Sequence, residues 1–450
     1  MINNFHKTGY TVITPLFKTR KPLRNRIFII PFSFLYCCLS LAVIITIFTS
    51  CSAVSENKPV LQGNNNLPLL SLPDLPAVSK AEAARINAAC GNWYDSVLKQ
   101  KGFNGSILVA KNGHIIFEKY SGTAHLPGTD AITENTALHI ASVSKTFTAM
   151  ATLKLMQDGQ LNIDDEFSKY FKTFNYPGVT VRTLLNHRSG LPNYTHFLDN
   201  MGWDKSRVAS NDDVLDFLIT RKAELVDITA PNTHFSYCNT NYVLLALLIE
   251  KITGKKYADY LNETFFVPLQ MKNTYVFSLA DTARAIPSYN WRGKPEAFTF
   301  LDQVYGDKNI YTTARDLLTW DRALQTNLLF KPETLEEAYA PYSNEKRGIR
   351  NYGLGWRMNI YPTGEKIIYH NGWWHGSNAS FIRLLKSSAT IIVIGNKFTR
   401  SVYHVKALTS IFGNYDNQVD DELTEPDKNN ETALLIKKAL DTHPNKKRKF

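Results

Sequence analysis

The first strand signal along the chain is a pair of short apolar runs, at residues 106–110 and 115–117, separated by a turn. Asn112-Gly113 lies between them, and this dipeptide favours the left-handed backbone of a two-residue hairpin turn. The pattern therefore predicts a β-hairpin. Residues 81–101, just before it, have a helical pattern.

Strand-like runs return after about Tyr352, and residues 404–412 are predicted to form a last helix. The predicted strands cover residues 366–369, 379–385 and 389–394. Residues 152–290, in contrast, read mostly as helices and loops. We therefore predict an α/β fold of the α+β type over residues 80–413, with an antiparallel sheet flanked by N- and C-terminal helices and an inserted all-helical lobe. The active site is expected where sheet and lobe meet.

Residues 1–51 have the order of an export signal, with basic residues followed by a long apolar stretch. The segment ends in Thr49-Ser50-Cys51, which resembles the processing site of bacterial lipoproteins, so Cys51 is the predicted lipidation site. An uncleaved signal anchor is the alternative, because the apolar stretch is long enough to cross a bilayer. Either way we expect an exported, membrane-anchored protein that faces the periplasm or the cell exterior, with residues 52–79 as a flexible tether.

The charge and the cysteine content of the chain argue against a nucleic-acid-binding protein and against a disulfide-rich one. The formal net charge is +11, but six of the 51 Lys and Arg residues belong to the export segment, which has no acidic residue. The remaining excess is small and includes the terminal cluster Lys446-Lys447-Arg448-Lys449, so a nucleic-acid partner has little support. We predict the charged tail at residues 414–450 to be largely disordered. Only Cys90 and Cys238 lie in the body of the chain, so no disulfide framework is indicated.

A candidate nucleophile stands at the start of an apolar, helix-like run. Ser142 and Lys145 are three residues apart, and positions i and i+3 share a helix face, so the lysine amine can reach the serine Oγ. A helix N-terminus also favours developing negative charge on that oxygen. The alternative is a helix-capping serine beside a solvated lysine.

Two further signals follow in the chain. Tyr237 and Asn239 precede a helical run, and in an extended segment residues i and i+2 point the same way, so both can face one cleft. The alternative is a core tyrosine with Asn239 as a helix cap. His370 and Gly372 end a predicted strand, where Gly372 would permit close approach of a substrate backbone and the strand edge would offer N–H donors.

In this order, Ser-x-x-Lys, Tyr-x-Asn and His-x-Gly resemble the serine β-lactamase and penicillin-binding-protein superfamily, in its class C-like branch. Phrases typical of that branch occur at residues 184–192, 311–317 and 352–356. The branch includes DD-peptidases, D-aminopeptidases and esterases. The resemblance covers residues 107–394.

The resemblance implies a role for each matched position. Ser142 would be acylated, while Lys145 and Tyr237 would share the proton transfers. Asn239 would bind the substrate amide. His370 would occupy the position of the family's third-motif lysine, and because histidine is mostly neutral near pH 7, this departure weakens the interpretation as an efficient β-lactamase.

The expected oxyanion hole consists of the backbone N–H groups of Ser142 and Trp373. The expected activity is hydrolysis of a D-amino-acid peptide of the cell-wall type, a β-lactam or a small ester through an acyl-enzyme. The alternative is a non-catalytic envelope binding protein that retains the fold. No cofactor is expected, and the absence of zinc-site spacing predicts no metal.

Overall fold

The computed structural model of the chain describes residues 67–415, which form a mixed α/β structure around a seven-stranded antiparallel sheet. The spatial order of its strands is β2-β1-β10-β9-β8-β7-β6. These strands are β1 (Gly105–Lys111), β2 (His114–Ser121), β6 (Arg350–Tyr352), β7 (Arg357–Ile360), β8 (Lys366–Trp374), β9 (Ser377–Leu384) and β10 (Ala389–Gly395). A second sheet has the order β3 (Leu138–His139), β5 (Ile310–Thr312) and β4 (Tyr275–Val276).

Helices precede the large sheet and fill the middle of the chain. They are α1 (Lys80–Trp93), α2 (Ser144–Gln157), α3 (Val181–Leu185), α4 (Tyr194–Asn200), α5 (Asn211–Thr220), α6 (Asn239–Thr253), α7 (Tyr257–Leu261), α8 (Ala314–Gln325) and α9 (Pro332–Ala338). A 3₁₀ helix, Arg400–Ile411, closes the described chain where an ordinary helix is predicted over residues 404–412. In residues 67–415, no helix is both long and apolar enough to cross a bilayer.

The predicted hairpin is confirmed, and its turn explains why the prediction succeeds. Asn112 and Gly113 both have positive φ, 49° and 68°, as a two-residue turn between right-twisted strands requires. Through this turn β1 pairs with β2, and on its other edge β1 pairs with β10 from the far end of the sequence. The N- and C-terminal strand regions therefore form one sheet, as predicted.

Each face of the sheet is covered by a different layer of helices. Leu108 and Ile392 belong to the core shared with the helical lobe, whereas their neighbours Ile107 and Ile391 belong to the core beneath α1 and the 3₁₀ helix. Alternate side chains of a strand point to opposite faces, so both sets are buried. The inserted helical lobe is thus confirmed as one side of a layered fold.

The chain before α1 differs from the predicted tether in the part that the structure describes. The Leu70 N–H donates to the Pro268 carbonyl at 2.8 Å, and Asn112 Nδ2 donates to the Pro76 carbonyl at 3.0 Å. Residues 67–79 therefore lie against the domain. The predicted export segment, including Cys51, and the tail beyond residue 415 lie outside the described residues.

Candidate active site

Ser142 lies on a short turn between β3 and α2. Ile140 extends the pairing of the small sheet by donating to the Ile310 carbonyl at 3.0 Å, and Ala141 then has a positive φ of 47°. This conformation is uncommon for alanine and turns the chain sharply. Ser142, predicted at the start of the helical run, follows in the 3₁₀ turn Ala141–Val143, two residues before α2 begins.

Lys145 meets Ser142 as the i, i+3 spacing predicts. Its Nζ donates to Ser142 Oγ at 3.0 Å and to the Asp307 carbonyl at 2.8 Å, and the lysine is fully buried. The Nζ also lies 5.0 Å from the ring centroid of Tyr237 and 5.7 Å from that of Tyr242. A solvated surface lysine is therefore excluded.

Ser144, the nearest other serine, is directed away from this pair. It is fully buried, and its Oγ accepts the Ile310 backbone N–H at 3.1 Å. Ser142, in contrast, is partly exposed. Ser142 is therefore the accessible hydroxyl of this turn.

Tyr237 and Asn239 flank a buried Cys238, and the alternation follows the predicted extended geometry. Cys238 has φ −137° and ψ 117°, and its backbone N–H donates to His187 Nδ1 at 3.1 Å. Helix α6 begins at Asn239 without a side-chain cap, so the helix-cap alternative for Asn239 is wrong. Within the described chain, no hydrogen bond involves the Asn239 side chain, which leaves the amide available to a ligand.

His187 positions this segment. The imidazole is fully buried, its ring centroid lies 4.3 Å from that of Tyr237, and the residue has a positive φ of 57°. Burial, together with the charges of Lys145 and Arg357, lowers the pKa of His187 well below its usual value, so the ring is neutral. His187 falls within one of the phrases typical of the family branch, residues 184–192, but the sequence alone assigns it no role. Its conformation and contacts emerge only from the fold.

His370 is also fully buried, and the structure alters the role expected for it. Its Nδ1 lies 2.7 Å from the Asn371 carbonyl oxygen, so Nδ1 carries a proton and Nε2 accepts from the Tyr352 hydroxyl at 3.3 Å. Burial, followed by the charges of Arg357 and Lys145, lowers the pKa of His370 well below its usual value. The imidazole is neutral and presents no exposed edge to a substrate carboxylate.

Gly372 brings β8 against the nucleophile turn. A Cβ at this position would lie 2.3 Å from the Ile140 carbonyl oxygen and 3.2 Å from Ala141 Cβ. The sequence predicts that a substrate backbone approaches Gly372 closely. In the structure, the turn that carries Ser142 makes a close approach to this glycine. It places the end of β8 beside Ser142.

The end of β8 has one open edge. β7 pairs with β8 only up to Tyr369, whereas β9 pairs with β8 as far as Trp374, so no described strand covers residues 370–374 on the β7 side. This edge is where the Trp373 N–H is predicted to donate to an oxyanion. The indole of Trp373 donates to the His375 carbonyl at 2.6 Å and lies beside Phe398, at 5.6 Å between ring centroids.

Arg357 is a residue that sequence reasoning missed. It stands at the start of β7, and its Cζ lies 4.9 Å from the ring centroid of Tyr237 and 5.9 Å from that of Tyr352. A guanidinium stays charged in proteins. Arg357 therefore brings to this side of the site the fixed positive charge that the neutral His370 lacks.

A buried polar network lies behind Lys145. Tyr194 Oη donates to Asp307 Oδ2 at 3.0 Å, and Lys308 Nζ lies 3.5 Å from Asp307 Oδ1 and donates to Tyr194 Oη. Burial lowers the pKa of Lys308, against the opposing effect of Asp307. The network holds the 307–308 segment whose carbonyl binds Lys145.

The site contains a serine that is hydrogen-bonded to a buried lysine, with a tyrosine beside them, at the junction of the sheet and the helical lobe. This arrangement is that of a serine hydrolase that works by nucleophilic catalysis. The sequence matches the Beta-lactamase family over residues 92–412, and the chain belongs to that family. The resemblance inferred from the motifs is thereby confirmed, as is the class of enzyme.

Individual relatives agree with this assignment. Penicillin-binding protein 4* of Bacillus subtilis is 30% identical over 68% of this chain and 70% of its own length. A D-aminopeptidase of Brucella anthropi is 30% identical over 60% of this chain, which spans 52% of that relative. The crystal structure of a penicillin-binding protein from Bacillus halodurans superposes with a TM-score of 0.62 at 22% identity, over 70% of this chain and 98% of that one. This likeness confirms the fold.

Proposed function

We propose that the protein is an exported serine hydrolase that forms an acyl-enzyme on Ser142 and cleaves a D-amino-acid peptide of the cell-wall type. The observation that carries the proposal is the 3.0 Å contact between Lys145 Nζ and Ser142 Oγ on a strained turn. The names of the relatives, a penicillin-binding protein and a D-aminopeptidase, support the substrate class.

In the proposed reaction, Ser142 Oγ attacks the substrate carbonyl carbon and passes its proton to Lys145 or Tyr237. The carbonyl oxygen becomes an oxyanion bound by the N–H groups of Ser142 and Trp373. Collapse of the tetrahedral intermediate breaks the bond to the leaving amine, which takes up the proton and leaves an ester on Ser142. Water then attacks the ester by the same steps. Asn239 would bind the substrate amide.

The position of Arg357 favours a substrate that carries a carboxylate. Its guanidinium lies over the face of Tyr237, and β7 places Arg357 opposite Tyr369, the residue before His370. His370 cannot supply positive charge there, because it is buried and neutral. A peptide with a free C-terminal carboxylate would be bound by Arg357, whereas a neutral ester would not.

The test compares a D-Ala-D-Ala peptide that has a free carboxylate with its C-terminal amide, alongside nitrocefin and p-nitrophenyl acetate. Arg357→Gln is expected to lower kcat/KM for the free acid about tenfold or more relative to the amide, since hydrogen bonds to charged groups are the stronger ones. Arg347→Gln removes an exposed arginine and should leave the ratio unchanged. No hydrolysis of any of the four substrates would favour the non-catalytic binding protein instead.

Export and anchoring through Cys51 complete the proposal. They are supported by the basic-then-apolar order of residues 1–51 and by the small residues before Cys51. Cys51→Ala is expected to block lipid attachment and processing. If processing and membrane partitioning are the same in this variant, the uncleaved anchor is the correct alternative.

A further inference from the structure

A cavity of about 250 Å³ opens beside Tyr237 on the side of the helical lobe. It is smaller than the pockets of roughly 300–1,000 Å³ that enclose a whole small-molecule ligand, so it suits one side chain. Ser236, Tyr237 and Cys238 form one wall, so the cavity adjoins the proposed catalytic tyrosine.

The opposite walls contain an apolar surface, and the segments that form it are fixed to each other. Phe197 and Met201 come from α4 and the residue that follows it, and Val226 comes from the loop after α5. The Thr229 N–H donates to the Gly190 carbonyl at 2.9 Å, and a Cβ on Gly190 would lie 2.1 Å from the Thr229 carbonyl oxygen. This contact fastens the loop against the start of the lobe, so the cavity is preformed.

The polar groups of the cavity are two carboxylates, the amides of Asn193 and Asn200, the hydroxyls of Ser236 and Tyr237 and the imidazole of His196. Glu224 and Asp227 line it, and no Lys or Arg of residues 67–415 does. Arg221 binds Glu224 through two hydrogen bonds, at 2.8 and 2.5 Å, and thereby neutralises it. No hydrogen bond or ion pair within the described chain involves the Asp227 side chain, which leaves Asp227 as the uncompensated charge.

A buried acceptor lies in the same wall. Asn193 lines the cavity, and its Oδ1 is buried without a hydrogen-bond donor in the described part of the chain. Buried acceptors without a partner are uncommon in native proteins and call for a donor.

We propose that this cavity is a specificity subsite for a substrate side chain that has an apolar stem and ends in an amine. The stem would pack on Phe197, Met201 and Val226, and the amine would face Asp227. The inference rests on the proposed function, since it assumes that substrate is bound at Ser142, and it deepens that function by naming the side chain.

The test uses two series of short peptides. In one series the residue on the N-terminal side of the scissile bond, which acylates Ser142, is varied. In the other series the residue on the C-terminal side, which leaves as the amine, is varied. Each series contains lysine, its isostere norleucine without the amine, and glutamate. In one of the two series we expect the lysine substrate to exceed norleucine in kcat/KM by about three- to fivefold, the upper part of the range for an exposed charge pair, and glutamate to be the poorest.

Two variants assign the preference to the cavity. Asp227 has a positive φ of 63°, which asparagine also tolerates, so Asp227→Asn removes the charge without straining the loop. It should bring the lysine-to-norleucine ratio close to one. Val226→Lys places a cation at an exposed position of the rim and should make glutamate the better substrate. Asp216→Asn, an exposed carboxylate on α5 outside the cavity, should leave the ratio unchanged.

Failure of the subsite can be distinguished from failure of the proposed function. Labelling of Ser142 by a fluorophosphonate and hydrolysis of p-nitrophenyl acetate test the catalytic site alone, because neither reagent carries an amino-acid side chain that could enter the cavity. If both occur and neither series prefers lysine, or if the preference survives Asp227→Asn, the subsite is refuted. If neither labelling nor hydrolysis occurs, the proposed function itself is refuted, and the subsite with it.

Discussion

Replacing Gly372 with alanine should impair catalysis while leaving the fold in place. The added Cβ would lie 2.3 Å from the Ile140 carbonyl oxygen, whereas ordinary contact begins near 3.4 Å. The Ser142 turn and the end of β8 must therefore separate by about 1 Å, because the crowded atom belongs to the backbone and cannot rotate away. A misplacement of about 1 Å can cost roughly 10²-fold in rate.

The stability cost of this change should be much smaller than the loss of activity. Overpacking a core by one methyl group typically costs about 1–3 kcal/mol, which a domain of this size can tolerate. The assays are thermal unfolding, the rate of fluorophosphonate labelling and the hydrolysis of p-nitrophenyl acetate. We expect folded protein with labelling and hydrolysis slowed about 10²-fold.

Gly91→Ala is the matched control. Gly91 lies inside α1, and a Cβ there would meet only Phe117 at 3.8 Å, an ordinary contact. Alanine is also the better helix former, so this variant should be fully active and as stable as the parent or slightly more so. Full activity of Gly372→Ala would refute the inference that this close approach places Ser142 against the strand edge.

Two further predictions concern stability. Burial lowers the pKa of His139 to about 4, so between about pH 6.5 and 4 the unfolded chain takes up a proton that the folded chain does not, and the free energy of unfolding should fall by up to about 3 kcal/mol as the pH falls. Urea unfolding at pH 7.5 and 4.5 should show a smaller fall for His139→Gln, and an equal fall would contradict this reasoning. Asp321→Ala should destabilise the protein by about 3–5 kcal/mol because it leaves the buried Arg383 guanidinium unpaired, whereas loss of the exposed Asp95–Lys99 pair should have no measurable effect. Chemical unfolding of both variants gives their free energies of unfolding, and similar losses of stability in the two would contradict the argument.

Sequence patterns predict the parts of this fold that are determined by residues close together in the chain. Asn112-Gly113 specifies its turn, and the i, i+3 spacing brings Lys145 to Ser142. The small sheet was missed because its strands, such as β3 at Leu138–His139, contain only two or three residues, too few for periodicity.

The missed features of the site depend on long-range packing. Arg357 reaches Tyr237 only because β7 pairs with β8 in the register that places Arg357 opposite Tyr369. His370 is neutral because both faces of the large sheet are covered. Neither fact has a local sequence signal.

The most direct test of the account is mass spectrometry of the protein after incubation with a fluorophosphonate or a slowly hydrolysed β-lactam. We predict a single adduct on Ser142, absent from Ser142→Ala and formed far more slowly in Lys145→Ala. Turnover should fall roughly 10³-fold or more in Ser142→Ala, and adding Lys145→Ala should cost little further, because the two residues act as one unit. A stable adduct on another residue, or full turnover by Ser142→Ala, would contradict the account.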